Sequence, residues 1–333
     1  MINVAIIGAT GFTGHELIKI LLNHADVNLC YLTSSSSIGK NLNDLYPSLT
    51  DCNFILEKYS SNIFKKRSID FAFVALPHGS AMKIDAKIFA QGTKVIDLSA
   101  DFRLKNVELY EKYYQPHTEQ QLLQEAVFGL PEWYKNQIKD TKLLANPGCY
   151  VTSCLLPLLP LANHIDNIII DTKSGVSGAG KKISSNLLHA NVYGNFHPYA
   201  IKNHRHKPEI ESYLGIPVEF TPHLLPLNRG ILSTIYFRSK NKYNELRNLL
   251  EDKYKNEPFV HVLSEDQIPN LNNVVGTNNC YLNIFQGSQR NNFIIVSTLD
   301  NLIKGASGQA VQNMNIMAGL PEKTGLNITS HYP

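Results

Sequence analysis

Apolar and polar positions follow two different rhythms along the chain. Through the first half, short runs of β-branched and aromatic residues bounded by turn residues predict buried strands over 4–8, 27–33, 69–77 and 94–99. Helical spacing falls between some of them, over 14–23, where Leu17, Ile18, Leu21 and Leu22 share a side, and over 80–90. Strand–helix alternation of this kind argues for a parallel, doubly wound sheet. In the second half, strands are predicted over 168–176, 217–225, 231–238, 281–285 and 293–299, with 244–253 as the main helix among them. Strands following strands favour a mixed sheet in a separate α+β domain. A final amphipathic stretch, 306–318, reads as a helix stopped by Gly319 and Pro321.

The expected architecture is therefore α/β, in two parts. A nucleotide-binding type of domain covers 1–148, an α+β domain with a mixed sheet covers 149–303, and a C-terminal helix within 304–320 packs back on the first. The length of 333 residues suits two ordinary domains. With 43% apolar and 18% charged residues, the chain is neither a disordered polyelectrolyte nor a low-complexity polymer. A net charge of +3 offers no electrostatic reason to expect nucleic acid or an anionic membrane as partner. The five cysteines, at 30, 52, 149, 154 and 280, form no CxxC pair, which speaks against a structural zinc site and for reduced thiols in a cytosol. The start has no basic region before its short apolar run, so no signal peptide is expected and a cytoplasmic location is. The richest apolar run, 154–162, contains two prolines and falls short of the roughly 20 residues of a membrane span.

Two turns carry candidate chemistry. Gly8-Ala-Thr10-Gly11-Phe12-Thr13-Gly14 joins the first strand to the first helix. Its glycines permit a tight turn and let backbone approach a ligand, and the helix N-terminus offers N–H groups and a positive dipole end to a pyrophosphate. Thr13 and Glu16 have capping-box spacing, which is expected to fix the helix start. The spacing GxxGxxG differs from the commoner GxGxxG, so position and context carry the dinucleotide reading. After the second strand stand Thr33, Ser35 and Lys40, with no acid for ribose hydroxyls. Hydroxyls and a lysine suit a 2′-phosphate, hence NADP(H).

The second turn is Asn146-Pro-Gly-Cys149, between a strand and a short helix. Cys149 is placed near the helix N-terminus, where the dipole lowers a thiol pKa and nearby N–H groups can hold an oxyanion. Its acid–base partner is sought in His204-Arg205-His206-Lys-Pro-Glu209, the densest polar cluster of the chain. The bland reading of that cluster is a solvated helix start, and two His at i and i+2 do not make a metal site. Two further glycine-rich or polar stretches, 97–103 and 174–181, can wrap an anion with backbone N–H groups.

These motifs together resemble the N-acetyl-γ-glutamyl-phosphate reductases of the semialdehyde dehydrogenase group. The resemblance rests on GATGFTG (8–14), ALPHG (75–79), DLSADFRL (97–104), GLPE (129–132), NPGCYVTS (146–153), SGVSGAGK (174–181), NHRHKPEI (203–210), HLLPLNRGI (223–231) and KGASGQAVQNMNIMAGLPE (304–322), in family order. It implies NADPH-dependent reduction of an acyl phosphate through a thioester on Cys149, in arginine biosynthesis. It implies His206 as acid–base group with His204 as the alternative, and Glu209 as orienter. It implies cofactor contacts from Gly8, Thr10, Gly11, Phe12, Thr13, Gly14, Thr33, Ser35, Lys40, Pro77, His78, Ser177, Gly178 and Gly180, substrate contacts from Arg103, Asn146 and Arg205, and a homodimer or homotetramer. The family often carries an Arg where Ser35 stands, which weakens the case for NADP over NAD. Competing readings are an aspartate- or N-acetylaminoadipate-semialdehyde dehydrogenase, a thiol hydrolase, and a non-enzymatic NADP-binding regulator. The glycine turn counts against the hydrolase, and intact Cys149 counts against the regulator.

Overall fold

Strand–helix alternation in the first half builds a six-stranded sheet, all of its pairings parallel, in the order β2-β1-β3-β4-β6-β5. Its strands are β1 (Ile2–Ile7), β2 (Val27–Thr33), β3 (Phe71–Val74), β4 (Lys94–Asp97), β5 (Val127–Phe128) and β6 (Leu143–Ala145). The computed structural model describes residues 1–49, 52–181 and 185–330. A parallel sheet is covered on both faces, so its strands are continuous apolar runs rather than alternating ones. Phe71, Ala72, Phe73 and Val74 of β3 are all buried, as are Val4 to Ile7 of β1.

The helices of eight residues or more, among the described residues, are α1 (Phe12–Leu22), α2 (Met82–Phe89), α3 (Pro131–Asp140), α4 (Cys149–Leu158), α5 (His206–Leu214), α6 (Tyr243–Tyr254) and α7 (Gly308–Ala318). On α1, Leu17, Ile18 and Leu21 are buried, each burial contributing about 1.5–3 kcal/mol. The start of α1 corrects the expected capping box. Gly11, not Thr13, is the N-cap, and no side chain caps the helix. The helix begins one residue after the turn, so Thr13 already lies inside it, and Glu16 turns to Lys19 instead (3.2 Å).

The chain divides into two compact units, Met1–Pro147 with Ala306–Leu326, and Gly148–Gly305 with the chain from Asn327. α7 belongs to the first unit and contacts α1 and α3 there. It departs from the expected amphipathic pattern, because every residue from Gly308 to Met317 is buried. Three of its amide side chains are hydrogen-bonded: Asn313 Nδ2 donates to Gly129 O (2.9 Å), Asn315 Oδ1 meets His24 Nε2 (2.9 Å), and Gln312 Nε2 donates to Glu322 (2.9 Å). Buried amides tolerate such a position only when hydrogen-bonded. Gly319, at φ +73°, ends the helix in the left-handed region.

The second unit holds a seven-stranded mixed sheet, β11-β12-β13-β10-β7-β9-β8. Its strands are β7 (Ile165–Gly175), β8 (His197–Pro198), β9 (Val218–Leu225), β10 (Ile231–Ser239), β11 (Val260–Val262), β12 (Cys280–Gln286) and β13 (Asn292–Leu299). Burial alternates along β9 and β10, the period-2 signature of a sheet packed on one side. α4 packs on β10 and β13, and α5 on β9. A buried hydroxyl chain, Ser153 to Ser233 (2.8 Å) to Thr172 (2.7 Å), fixes α4 to that face. The other face carries a cross-strand row of Ile169, Tyr236, Ile294 and Phe285, with Ile169 half exposed and Tyr236 42% exposed.

Candidate active site

In the second unit, Cys149 is the first residue of α4 and is partly exposed. The N-cap is Gly148, extended at φ −65° and ψ 149°, with no side-chain cap. The first backbone N–H groups of a helix lack intrahelical partners, so they and the dipole surround the thiol with partial positive charge. Tyr150 to Leu158 are all buried, which fixes the helix behind the thiol.

α5 brings His206 and Glu209 to the same place. They stand three residues apart on one helix and therefore on one face. Glu209, 1% exposed, accepts the Gly148 N–H through Oε1 (3.0 Å). His206 lies over the same glycine, so close that a Cβ built on Gly148 would sit 2.5 Å from Nε2. A side chain at 148 would have to push the imidazole aside.

His204 is held differently. Its Nδ1 accepts the His206 N–H (3.2 Å), and its ring packs against Tyr150, Tyr199 and Phe220. Burial, with Arg205 adding repulsion, pushes its pKa down to about 4, so it is neutral at ordinary pH. Arg205 itself is exposed at the N-cap of α5. The loop after β7 lies in this unit too: Ser177 N donates to Asn228 O (3.1 Å), its hydroxyl accepts from Asn301 (2.9 Å), Gly178 follows it, and Gly180 adopts φ +79° with open space around it.

The first unit holds the glycine turn. Gly8 has φ +92°, and a Cβ there would lie 2.4 Å from Ala75 O; one on Gly14 would lie 2.3 Å from Gly8 O. Gly11 N donates to Gly8 O (3.3 Å), and no side chain caps the N-terminus of α1 that follows, where Phe12 and Thr13 stand. Thr33 turns inward rather than toward a ligand. It is 3% exposed, and its hydroxyl accepts the Gly8 N–H (3.3 Å). Thr10 meets Ser34 (3.1 Å), whose hydroxyl also accepts from Ser36 and Ser37 (3.3 and 3.2 Å). Ser35 and Lys40 are exposed.

The other loops of this unit are tied together. Pro77 and His78 are exposed in the loop after β3, and His78 Nδ1 accepts the Ala100 N–H (2.9 Å). Asp101, which sequence reasoning did not single out, accepts from Gly79 N (2.7 Å), Met82 N (3.0 Å) and Tyr110 OH (2.8 Å). Burial and the Asp101 charge push the neighbouring Asp97 carboxyl up to about 7. Arg103, 5% exposed, donates through Nε to Asn146 O (2.7 Å) and through Nη2 to Leu98 O (2.9 Å). Asn146 donates to Ala306 O (3.2 Å) and accepts from Asn313 (3.3 Å).

Two family models match the chain. Semialdehyde dehydrogenase, NAD binding domain, matches residues 3–141, and semialdehyde dehydrogenase, dimerisation domain, matches 149–301. Among curated relatives, the N-acetyl-γ-glutamyl-phosphate reductase of Pelotomaculum thermopropionicum is 46% identical, over 100% of this chain and 99% of that protein. The one of Methanosphaera stadtmanae is 45% identical over the same shares. Among solved structures, aspartate semialdehyde dehydrogenase II from Vibrio cholerae, complexed with ASA, matches at TM-score 0.74 and 18% identity, over 96% of this chain and 98% of that one. Aspartate semialdehyde dehydrogenase with NADP from Candida albicans matches at TM-score 0.71 and 16% identity, over the same shares. Identity this low speaks for a common fold alone.

Proposed function

Because the chain belongs to the N-acetyl-γ-glutamyl-phosphate reductases of the semialdehyde dehydrogenase family, we propose that it converts N-acetyl-γ-glutamyl phosphate and NADPH to N-acetylglutamate semialdehyde, phosphate and NADP⁺, in arginine biosynthesis. The observation that carries the reading is the convergence of His206 Nε2 and the Glu209 carboxylate on Gly148, the residue preceding the Cys149 nucleophile. Cys149 attacks the acyl carbon, its proton passing to His206 Nε2, and the C–O bond to phosphate breaks with the electron pair leaving on phosphate. The α4 N–H groups hold the oxyanion of this step. When bound, nicotinamide would supply the hydride for reduction of the resulting thioester. The His206 imidazolium then protonates the alkoxide oxygen, and takes that proton back as the C–S bond breaks to give aldehyde and thiolate. His204, neutral and half-buried, fixes the backbone of His206 instead of sharing its role. Glu209 holds the amide of Gly148 and so the register of α5 against α4.

The residues present fit a dinucleotide. Gly8 and Gly14 let the turn close on its own backbone, where a Cβ would strike Ala75 O and Gly8 O, Gly11 is uncrowded, and the α1 N-terminus has no side-chain cap. We assign Gly8, Thr10, Gly11, Phe12, Thr13 and Gly14 to the pyrophosphate side, exposed Ser35 and Lys40 to the 2′-phosphate, and Pro77 and His78 to the same ligand. Thr33 contributes by holding Gly8. Ser177, Gly178 and Gly180 are assigned to the nicotinamide end. Arg103 and Asn146, with Arg205, are assigned to the anionic substrate; a guanidinium fixed on two carbonyls is oriented before phosphate arrives.

The apolar row on the open sheet face, Ile169, Tyr236, Ile294 and Phe285, supports self-association as a homodimer or a dimer of dimers. Light scattering of Tyr236→Lys, with a smaller particle than the parent, tests it. Five free thiols favour a reducing cytosol. The reaction itself is tested in reverse: N-acetylglutamate semialdehyde reduces NADP⁺ only when phosphate is present. Turnover without phosphate would reject acyl phosphate as the substrate.

A further inference from the structure

We propose that Asp300, paired with Arg229, is a positioning residue for Cys149, acting through the turn that presses Gly305 against the thiol-bearing residue. The inference rests on the reading of Cys149 as nucleophile and adds a device that holds its Cβ in place.

Asp300 is fully buried at the end of β13. Its carboxylate accepts from Gly276 N (2.8 Å), Leu302 N (2.8 Å) and Ile303 N (3.2 Å). Arg229 faces the same carboxylate with Nη2 3.3 Å from Oδ1 and Nε 3.2 Å from Oδ2. A buried carboxylate with so many donors and one cation is a fixed point, since moving it strands several partners at once. The main chain continues the same function. Asp300 O accepts the Gly305 N–H (2.9 Å), a bond spanning five residues that opens the π-helical turn Ile303–Ser307. Gly305 then lies against the nucleophile, where an added Cβ would stand 2.8 Å from Cys149 Cβ and 3.2 Å from its Cα. Both ends of Asp300, side chain and carbonyl, therefore set how far the turn leans on Cys149. The neighbouring Asn301 joins a second loop to this point: Oδ1 accepts Gly230 N (2.8 Å) and Nδ2 donates to Ser177 Oγ (2.9 Å). Displacing a nucleophile by an ångström can cost about 100-fold in rate, which is what a contact of this closeness controls.

The test uses Asp300→Asn, Gly305→Ala and the double variant of the full-length protein. Asp300→Asn keeps the shape and removes the charge facing Arg229, while Gly305→Ala pushes on Cys149 Cβ directly. Each single variant is expected to lower kcat about 10- to 100-fold at nearly unchanged KM. The double variant should be no worse than the poorer single one within about threefold, because both act through one displacement. Independently of any reductase assay, the pH profile of iodoacetamide alkylation at Cys149, read from the peptide mass, should shift in both variants. If Asp300→Asn does not fold, Arg229→Lys, which keeps the charge and loses the fork, is expected to show the same shift with an intact circular dichroism spectrum. Losses that multiply in the double variant, or an alkylation profile unchanged in Asp300→Asn and Arg229→Lys, would overturn the proposal. Loss of the reductase reading alone would leave the alkylation result standing.

Discussion

α1 and α4 each begin on a glycine N-cap in extended conformation, Gly11 at φ −74° and ψ 167°, Gly148 at φ −65° and ψ 149°, and neither N-terminus has a side-chain cap. Both turn the positive end of a helix dipole toward what precedes them. Their surroundings differ. Around Gly11 the neighbours are backbone and hydroxyls, Gly8, Thr10, Thr33 and Ser34. Around Gly148 stand a buried carboxylate and an imidazole. The first suits a ligand that arrives with its charge already fixed, the second a group whose charge must be made and quenched during a reaction. On the proposed function, the same local backbone serves binding or reaction according to the titratable side chains that a second helix delivers.

Removing the group that α4 carries should separate the two helices most sharply. Cys149→Ala is expected to abolish turnover, by about 10³-fold or more, and to leave NADPH affinity from fluorescence titration unchanged. Retained turnover would remove the distinction. His206→Asn is next, with kcat lowered about 100- to 1,000-fold and NADPH affinity kept; a larger loss in His204→Asn would exchange the two assignments. On the α1 side, Gly8→Ala forces a Cβ to within 2.4 Å of a carbonyl oxygen at φ +92°, so calorimetry should show NADPH binding weakened about 100-fold or lost. Alkylation of Cys149 should be unaffected by it.

His204 makes stability depend on pH. Its folded pKa, about 4, lies below the ordinary 6.5, so the unfolded chain binds more protons between them. Stability is therefore full above about 6.5 and is lost as pH falls toward 4, by about 3 kcal/mol at most. Thermal melts of His204→Asn should show a shallower acid decline than the parent. The smallest effect belongs to Lys40→Ala, expected to weaken NADPH about threefold with NADH unchanged.

The strands and most helices were legible because periodicity reports burial. β2 matches its expected span, and β7, β9, β10, β12 and β13 match within a few residues. β5, β8 and β11, of two or three residues, carry too little pattern to read and exist through pairing with neighbours. α3 was not read, since its buried Pro131, Glu132 and Ile138 make no regular stripe. α7 shows the reverse failure, its amides looking like a wet face although Gln312, Asn313 and Asn315 are themselves buried and each is hydrogen-bonded. At the site, Asn-Pro-Gly-Cys marked a turn and a helix start because those residue types restrict the backbone. Asp300 and Arg229 stand 71 positions apart in the chain, and no local signal joins them. The neutrality of His204 also depends on aromatic neighbours from distant segments.

In the proposed reaction Cys149 carries the acyl group between loss of phosphate and arrival of hydride. Enzyme mixed with N-acetyl-γ-glutamyl phosphate in the absence of NADPH, quenched in acid and digested, should yield the peptide around position 149 heavier by one N-acetylglutamyl group. An unmodified Cys149 peptide from enzyme that turns over fully once NADPH is added would contradict the account.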